Sequence, residues 1–379
     1  MTARAEREFD IVLFGATGFV GSLTAAHLAA AAGPEVRIAL AGRSLARLTA
    51  LRAGLGEPAS HWGLVEVDAT DQGGLRALAS RAGVLATTVG PYARSGREVV
   101  RAAAEAGTHY ADLTGEVLFV RWSLDEIAAR ARETGARIVH SCGFDSIPSD
   151  LGVLLTAQRA AADGQGTLED TTLVVRTMKG GISGGTVDSF RHQVLTAGHD
   201  PAARRVLQDP YALSPRRADE PAGRPGRRVP VARDADTGSW QGPFVMADYN
   251  TRLVRMSNTL SDWSYGRTLA YREVTDFGSG AAGPVLAVGT AIALGALGAG
   301  MSWAPSRAVL NRILPKPGEG PDARQRAAGH FRLELSATTS TGARYRTTVA
   351  AEYDPGYGGT AVMLAQSALC LALDDPRLP

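Results

Sequence analysis

The sequence predicts an α/β protein, a doubly wound parallel sheet over residues 1–150 followed by a second, α+β domain. Three observations carry that expectation. A short apolar run over residues 9–14 ends at Gly15-Ala16-Thr17-Gly18-Phe19-Val20-Gly21, and a helix-forming stretch opens directly from it. Apolar runs of four to six residues then alternate with helical stretches as far as residue 141. Beyond residue 150 the alternation stops.

Taken in order, residues 9–14 read as the first strand and 19–32 as an alanine-rich helix. Residues 36–41, 64–67 and 84–89 supply the second, third and fourth strands. Ser95 is expected to cap a helix over 96–106 that Gly107 stops. Two further strands, 109–113 and 137–141, flank an amphipathic helix over 119–133 that stops at Gly135. Strands alternating with helices pair in parallel, and ligands then sit at the carboxyl ends of the strands.

The second domain is expected over 151–355. Residues 171–178 look like a strand, and 331–353 like an antiparallel pair turning at Thr341-Gly342. Residues 204–233 hold eight arginines and five prolines and read as an extended, exposed insertion. A last helix over 360–373, within a segment 356–379, is expected to pack back on the first domain. Residues 277–306 carry no charge, and 285–301 are almost wholly apolar. A bilayer span needs about 20 such residues. Gly289, Gly295, Gly298 and Gly300 weaken the helix, while Ala291/Gly295 and Ala296/Gly300 offer small faces for close packing. The readings are a buried or dimer-interface helix, a membrane-surface helix, or a true span.

Composition narrows the function. A net charge of +2 argues against a dedicated nucleic-acid binder. Cys142 and Cys370 are the only cysteines and neither has a C-x-x-C partner, so no metal site or disulfide framework is expected. Residues 1–10 are charged and lack an apolar core, unlike a secretory signal, and the reading is cytoplasmic, at most peripheral to a membrane. Lys179 and Lys316 are the only lysines, with Val175 and Arg312 four residues before them. The Tyr-x-x-x-Lys proton relay of short-chain dehydrogenases is therefore excluded.

The glycine loop follows an apolar strand and opens a helix, the context of a Rossmann dinucleotide site. Gly15 permits the tight turn, Gly18 admits the pyrophosphate, and Gly21 lets helix pack on strand, with Ala16, Thr17, Phe19 and Val20 completing the loop. The helix N-terminus offers N–H groups and a positive dipole end to the phosphates. An NAD enzyme usually ends its second strand with Asp or Glu, whereas this chain has Gly42-Arg43-Ser44. Arg43 suits a 2′-phosphate and Ser44 adds a hydroxyl, so NADP is the expected cofactor. Asp68 is expected beside the adenine or as a helix cap, and Thr88 with Val89, Gly90 and Pro91 on the nicotinamide side.

Several motifs in order resemble one known family: the glycine loop, Ala41-Gly42-Arg43-Ser44, Thr88-Val89-Gly90-Pro91-Tyr92, and Tyr110-Ala111-Asp112-Leu113-Thr114-Gly115-Glu116. Cys142-Gly143-Phe144-Asp145-Ser146-Ile147-Pro148-Ser149-Asp150, Lys179-Gly180-Gly181, Ser183-Gly184-Gly185-Thr186 and Asp354-Pro355-Gly356-Tyr357 extend the match over most of the chain. The chain resembles saccharopine dehydrogenase-like oxidoreductases, most nearly the trans-acting enoyl reductases of lipid polyketide synthesis. The resemblance implies NADPH-dependent reduction of an activated double bond in a lipid-like acyl chain presented by a carrier.

Hydride would reach the β-carbon while a donor protonates the α-carbon, and Tyr92, Tyr110, Glu116 and Asp145 are the candidate catalytic groups. Asp145 and Asp150 read equally as helix caps, Glu116 as a first-turn acid, and Cys142 as a small buried residue at the edge of the cofactor site. Two other functions remain open. A saccharopine reductase-like amino-acid dehydrogenase would use Arg176, Arg191, His192, Arg252 and Arg255 as fixed cations. An NADP(H)-binding sensor or lipid-surface scaffold would bind without turnover. Expected partners are an acidic carrier protein or an anionic membrane surface docking on 204–233, and a second copy of the chain in a homo-oligomer.

Overall fold

The computed structural model describes residues 7–180, 184–221, 231–302, 305–306, 308, 310 and 320–374, and the statements below concern those residues. Six strands, β1 (Phe9–Phe14), β2 (Ile38–Gly42), β3 (Gly63–Glu66), β4 (Ala82–Thr87), β5 (His109–Ala111) and β6 (Ile138–Val139), form one sheet in the order β3-β2-β1-β4-β5-β6. Every pairing in it is parallel. β1 and β2 are buried along almost their whole length because helices cover both faces. Those helices are α1 (Phe19–Ala31), α2 (Leu45–Leu55), α3 (Gln72–Arg81), α4 (Tyr92–Ser95), α5 (Arg97–Ala106), α6 (Val117–Glu126) and α7 (Ala128–Thr134). The chain order reverses between β1 and β4, so the crevice beyond their carboxyl ends is where this topology holds a ligand.

Two local expectations change. Ser95 does not cap the helix that follows; it ends the short α4, and Gly96 stands between α4 and α5. A side chain at 96 would meet the Phe119 ring at 3.1 Å, so the glycine lets α6 close on the turn. The single helix expected over 119–133 is two, α6 and α7, divided at the buried Ile127.

The remaining elements are α8 (Ile147–Ala162), β7 (Leu168–Lys179), α9 (Gly184–His199), α10 (Pro201–Gln208), β8 (Ala232–Arg233), β9 (Trp240–Pro243), α11 (Ala247–Leu260), β10 (Ala270–Asp276), α12 (Gly283–Ser302), α13 (Ala323–Ala327), β11 (His330–Thr339), β12 (Arg344–Ala351) and α14 (Thr360–Leu373). A second sheet runs β12-β11-β7-β10-β9-β8. Only its β7–β10 pair is parallel. Phe331, Leu333, Leu335 and Ala337 alternate inward along β11 and share one core with Val153 and Ala157 of α8 and Tyr249 and Val254 of α11.

The arginine-rich stretch is not the extended insertion that its composition suggests. It opens in α10, and Tyr211, Ala212 and Leu213 are buried. Arg204 donates to the carbonyls of Ala197 and Gly198 at the end of α9. Arg216 pairs with Asp262 at 2.9 Å and lies over the Trp263 ring, while Arg217 pairs with Asp209 at 2.7 Å. Arg204, Arg216 and Arg217 thus pair within the chain, while Arg224, Arg227 and Arg228 lie outside the described residues. Residues 222–230 of this stretch lie outside the described residues, as do Gly181 and Ser183 of the glycine-rich motifs.

α12 packs on α9 and β9, with Ala287 against Gly242. Its opposite side is uncovered, with Val285 72%, Leu286 53% and Ile292 66% exposed. Nothing lies within 4 Å of the place a side chain would take at Gly295, so that small-residue face is unused within the described chain. α14 inserts Leu364, Ala365, Ala368 and Leu369 among Ile11, Leu13, Ala25 and Leu28, in the core of the first sheet. Its alanines let it approach α1 closely.

Candidate active site

One cleft of about 1660 Å³ opens at the carboxyl ends of the first sheet and extends beneath α9, α11 and α12. Its floor is the glycine loop. Gly15 has φ of +85°, and a side chain there would stand 2.7 Å from Val89 Cγ2 and 2.8 Å from Thr88 Oγ1. At Gly21 it would stand 2.2 Å from the Gly15 carbonyl, so only glycine lets α1 start so close to β1. Gly18 occupies the N-cap without a capping side chain, and the first turn of α1 holds no acid. That leaves the helix end to an anion. The cradle fits a dinucleotide pyrophosphate, and Thr17, Phe19 and Val20 line it.

The adenosine end is set by the turn after β2. Arg43 and Asp68 both line the cleft, with Arg43 Nε 4.0 Å from Asp68 Oδ2. The sequence suggests no acid near Arg43; the fold brings Asp68 there from the end of β3. Its Oδ1 accepts from Thr70 N (2.9 Å) and Thr70 Oγ1 (2.7 Å). These bonds, with a smaller pull from Arg43, hold its carboxyl below the usual range. Ser44 caps α2, its Oγ accepting from Arg47 N at 3.4 Å, and does not line the cleft. Arg47 does line it.

The wall beside the glycine loop is built by the ends of β4, β5 and β6. Thr88 Oγ1 donates to the Gly15 carbonyl at 3.1 Å, tying the β4 end to the glycine loop, and Val89, Gly90 and Pro91 continue the wall. Tyr92 also lines the cleft, with most of its side chain buried. Its hydroxyl donates to the Thr87 carbonyl at 3.2 Å and accepts from Leu113 N at 3.1 Å. Glu116 is fully buried, with its two oxygens on the Tyr92 and Ala93 N–H groups and on Ser189 Oγ. Tyr110 is fully buried as well, edge-on to His140, and does not line the cleft. Burial pushes both tyrosines well above their usual titration range.

Cys142 belongs to the core beneath the sheet rather than to the cleft lining, and burial pushes its thiol up to about 12. Asp145 lines the cleft. The sequence reading missed Tyr249 of α11, which reaches across from the second sheet. Its hydroxyl meets Ser141 Oγ at 2.5 Å and donates to the Thr114 carbonyl at 3.2 Å, and it too lines the cleft. Ser141 holds φ of +65°, which turns its side chain toward Thr114.

Farther from the glycine loop the wall becomes apolar. Phe190 and Val194 of α9, Phe244, and Leu294, Leu297 and Met301 of α12 line it. From the end of the chain, Tyr357 stacks edge-on to Phe19 at 4.9 Å and closes the loop side. No local spacing marks these residues. Only the Asp354-Pro355-Gly356-Tyr357 motif pointed there, because Asp354 Oδ2 accepts from Tyr357 N (2.8 Å) and Gly358 N (2.9 Å) and shapes the turn. Among the described residues no cluster of metal-ligating side chains occurs.

Residues 11–139 match the saccharopine dehydrogenase NADP binding domain. Over nearly its whole length the chain is similar to trans-acting enoyl reductases. It is 48% identical over 386 residues to one from Mycobacterium tuberculosis, covering 99% of this chain and 91% of that protein. To one from Mycobacterium ulcerans it is 49% identical over 385 residues, again covering 99% and 91%. Among solved structures, apo saccharopine dehydrogenase (L-Glu forming) from Saccharomyces cerevisiae aligns over 97% of this chain and 92% of that chain, at 13% identity and a TM-score of 0.49.

Proposed function

Because the chain belongs to the trans-acting enoyl reductase family and its residues 11–139 form an NADP-binding domain, we propose that it reduces an enoyl group in a lipid-like acyl chain. The acyl chain is presented by a separate carrier, and NADPH supplies the hydride. The observation that carries the reading is the single cleft. It runs without a break from the phosphate cradle at Gly15–Gly21 to an apolar wall of Phe190, Val194, Leu294, Leu297 and Met301. A charged cofactor and an apolar chain meet where the two halves join.

The residues divide by role. Gly15, Thr17, Gly18, Phe19 and Val20 hold the pyrophosphate, with Ala16 fixing the loop from the core beneath through its N–H on the Ala41 carbonyl; Arg43 holds the 2′-phosphate and Asp68 the adenosine side. Val89, Gly90 and Pro91 form the nicotinamide wall. Tyr92 continues that wall, and Glu116 and Tyr110 act from behind it by fixing the ends of β4 and β5. Asp145 and Tyr249 face the reacting atoms, and we assign the proton for the α-carbon to the Tyr249 hydroxyl. Backbone N–H groups at the strand ends stabilise the oxyanion of the thioester. The apolar wall excludes water, which strengthens those bonds.

The amino-acid dehydrogenase reading finds less support. Arg176 is bound to Asp276 and Glu334, and Arg191 to Asp188. Arg252 and Arg255 donate to backbone carbonyls. Neither these four nor His192 lines the cleft, and the two arginines that do, Arg43 and Arg47, stand at the glycine-loop end away from the apolar wall. We place the protein in the cytoplasm and assign the outward stripe of α12 to a second copy of the chain.

The test is turnover of purified protein with an enoyl thioester carried on a pantetheine arm. NADPH absorbance should fall while the acyl product gains two hydrogens by mass spectrometry. Oxidation of NADPH with a keto-acid and amino-acid pair, and none with the thioester, would replace this reading with the amino-acid one.

A further inference from the structure

Three charged side chains line the cleft around the turn after β2 and the start of α2: Arg43, Arg47 and Asp68. Arg43 is 79% exposed, and its guanidinium lies 4.0 Å from the Asp68 carboxylate. Asp68 is a fixed anion, held by both the backbone and the hydroxyl of Thr70. A 2′-phosphate carries nearly two negative charges, and Arg43 with Asp68 sums to none. Arg43 alone therefore leaves the corner without the net positive charge that a dianion requires.

Arg47 supplies it. It lies in the first turn of α2, where its backbone N–H bonds the Ser44 cap, and its Nη2 donates to the Thr17 carbonyl at 2.9 Å. Thr17 sits inside the glycine loop, so this side chain ties the start of α2 to that loop. Among the described residues Arg47 makes no other side-chain hydrogen bond, its side chain is exposed, and it lines the cleft, so its remaining guanidinium donors are free to bind. Arginine suits this double task because its donors diverge in a plane.

We infer that Arg47 is a second specificity residue for the cofactor, gripping the 2′-phosphate beside Arg43 while latching the glycine loop through Thr17. The inference rests on the NADP reading of the site. It also assigns Asp68 a part, since its charge opposes the phosphate and tempers NADPH affinity.

The experiment is equilibrium titration of the full chain with NADPH and with NADH, read by cofactor fluorescence without substrate. Arg47 is exposed, so its replacement leaves the core intact. Arg47→Ala and Arg43→Ala should each weaken NADPH binding by about 10-fold or more, the worth of one charge-assisted bond. NADH binding should fall by a much smaller factor in both. Asp68→Asn should tighten NADPH and leave NADH nearly unchanged. Equal losses for the two cofactors in Arg47→Ala would overturn the inference and leave Arg47 as a loop latch alone. Wild-type protein with no preference for NADPH would overturn the NADP reading, and with it this inference, before any variant is made.

Discussion

Glu116 caps α4 from a distance of twenty-four residues: its Oε1 accepts the Tyr92 N–H at 2.8 Å, while its other oxygen takes the next N–H, of Ala93, at 2.9 Å. The same carboxylate receives Ser189 Oγ at 2.7 Å, so one buried acid binds the end of β4, the end of β5 and α9. All its neighbours are donors.

Glu116→Gln should therefore be costly despite its shape. The new amide N–H₂ faces N–H groups, leaving a buried donor unmet at about 1–3 kcal/mol. Thermal unfolding should show a lower midpoint, with NADPH affinity also reduced because the Val89–Pro91 wall moves. A midpoint equal to wild type would mean that Glu116 is not the tie described.

Tyr249→Phe removes the hydroxyl between Ser141 and the cleft but keeps the ring. Turnover should fall by about 100-fold, the usual worth of a positioned proton donor, while NADPH affinity stays at the wild-type value. A fall of only a few-fold in turnover assigns the proton to Asp145 instead.

Burial lifts the Asp150 carboxyl from 3.8 to about 6. One oxygen accepts from Ser257 Oγ at 3.0 Å, and the other has no partner among the described residues. Tyr265 and Tyr271 face it, and Glu273 lies beyond, bonded to the Tyr271 hydroxyl. The folded state holds this proton more tightly than the unfolded one. Its contribution is thus complete below the unfolded value of 3.8 and is lost as pH rises through 6. At neutral pH the loss is on the order of 2–3 kcal/mol. Asp150→Asn should be more stable than wild type at neutral pH and show a flatter profile on the acid side. Denaturant melts across that range measure it, and parallel profiles for the two proteins would refute it.

The outward face of α12 is too large an apolar stripe to stay in water on a monomer. Ile292→Asp should shift the protein to a smaller species in size-exclusion chromatography with its NADPH binding intact. If the wild type is already monomeric and floats with anionic liposomes, lipid rather than a second copy covers the face.

Much of the first domain could be read in advance because its signals are local. A strand buried on both faces is a continuous apolar run, and Gly15, Gly18 and Gly21 are required by contacts within a few residues and by the β4 end. Arg43 was legible because it directly follows β2. Asp68 beside Arg43, Arg47 on Thr17 and Tyr249 on Ser141 were not, since each depends on the register between separate elements. Composition did not reveal that Arg204, Arg216 and Arg217 are used by the carbonyl end of α9, Asp262 and Asp209, since those pairings join separate elements. Tyr110 looked available because it ends a strand, but its neighbours close over it completely.

The placement of α14 bears on how the chain is made. Leu364, Ala365, Ala368 and Leu369 complete the core around Ile11 and Leu13, which leave the ribosome first. Until the last helix emerges, the cofactor domain carries an open apolar flank while the whole second domain is being synthesised. Contacts this distant in sequence form slowly and leave sticky intermediates. The cofactor domain thus cannot finish folding before α14 is made, and chaperone demand during synthesis should fall on its exposed flank.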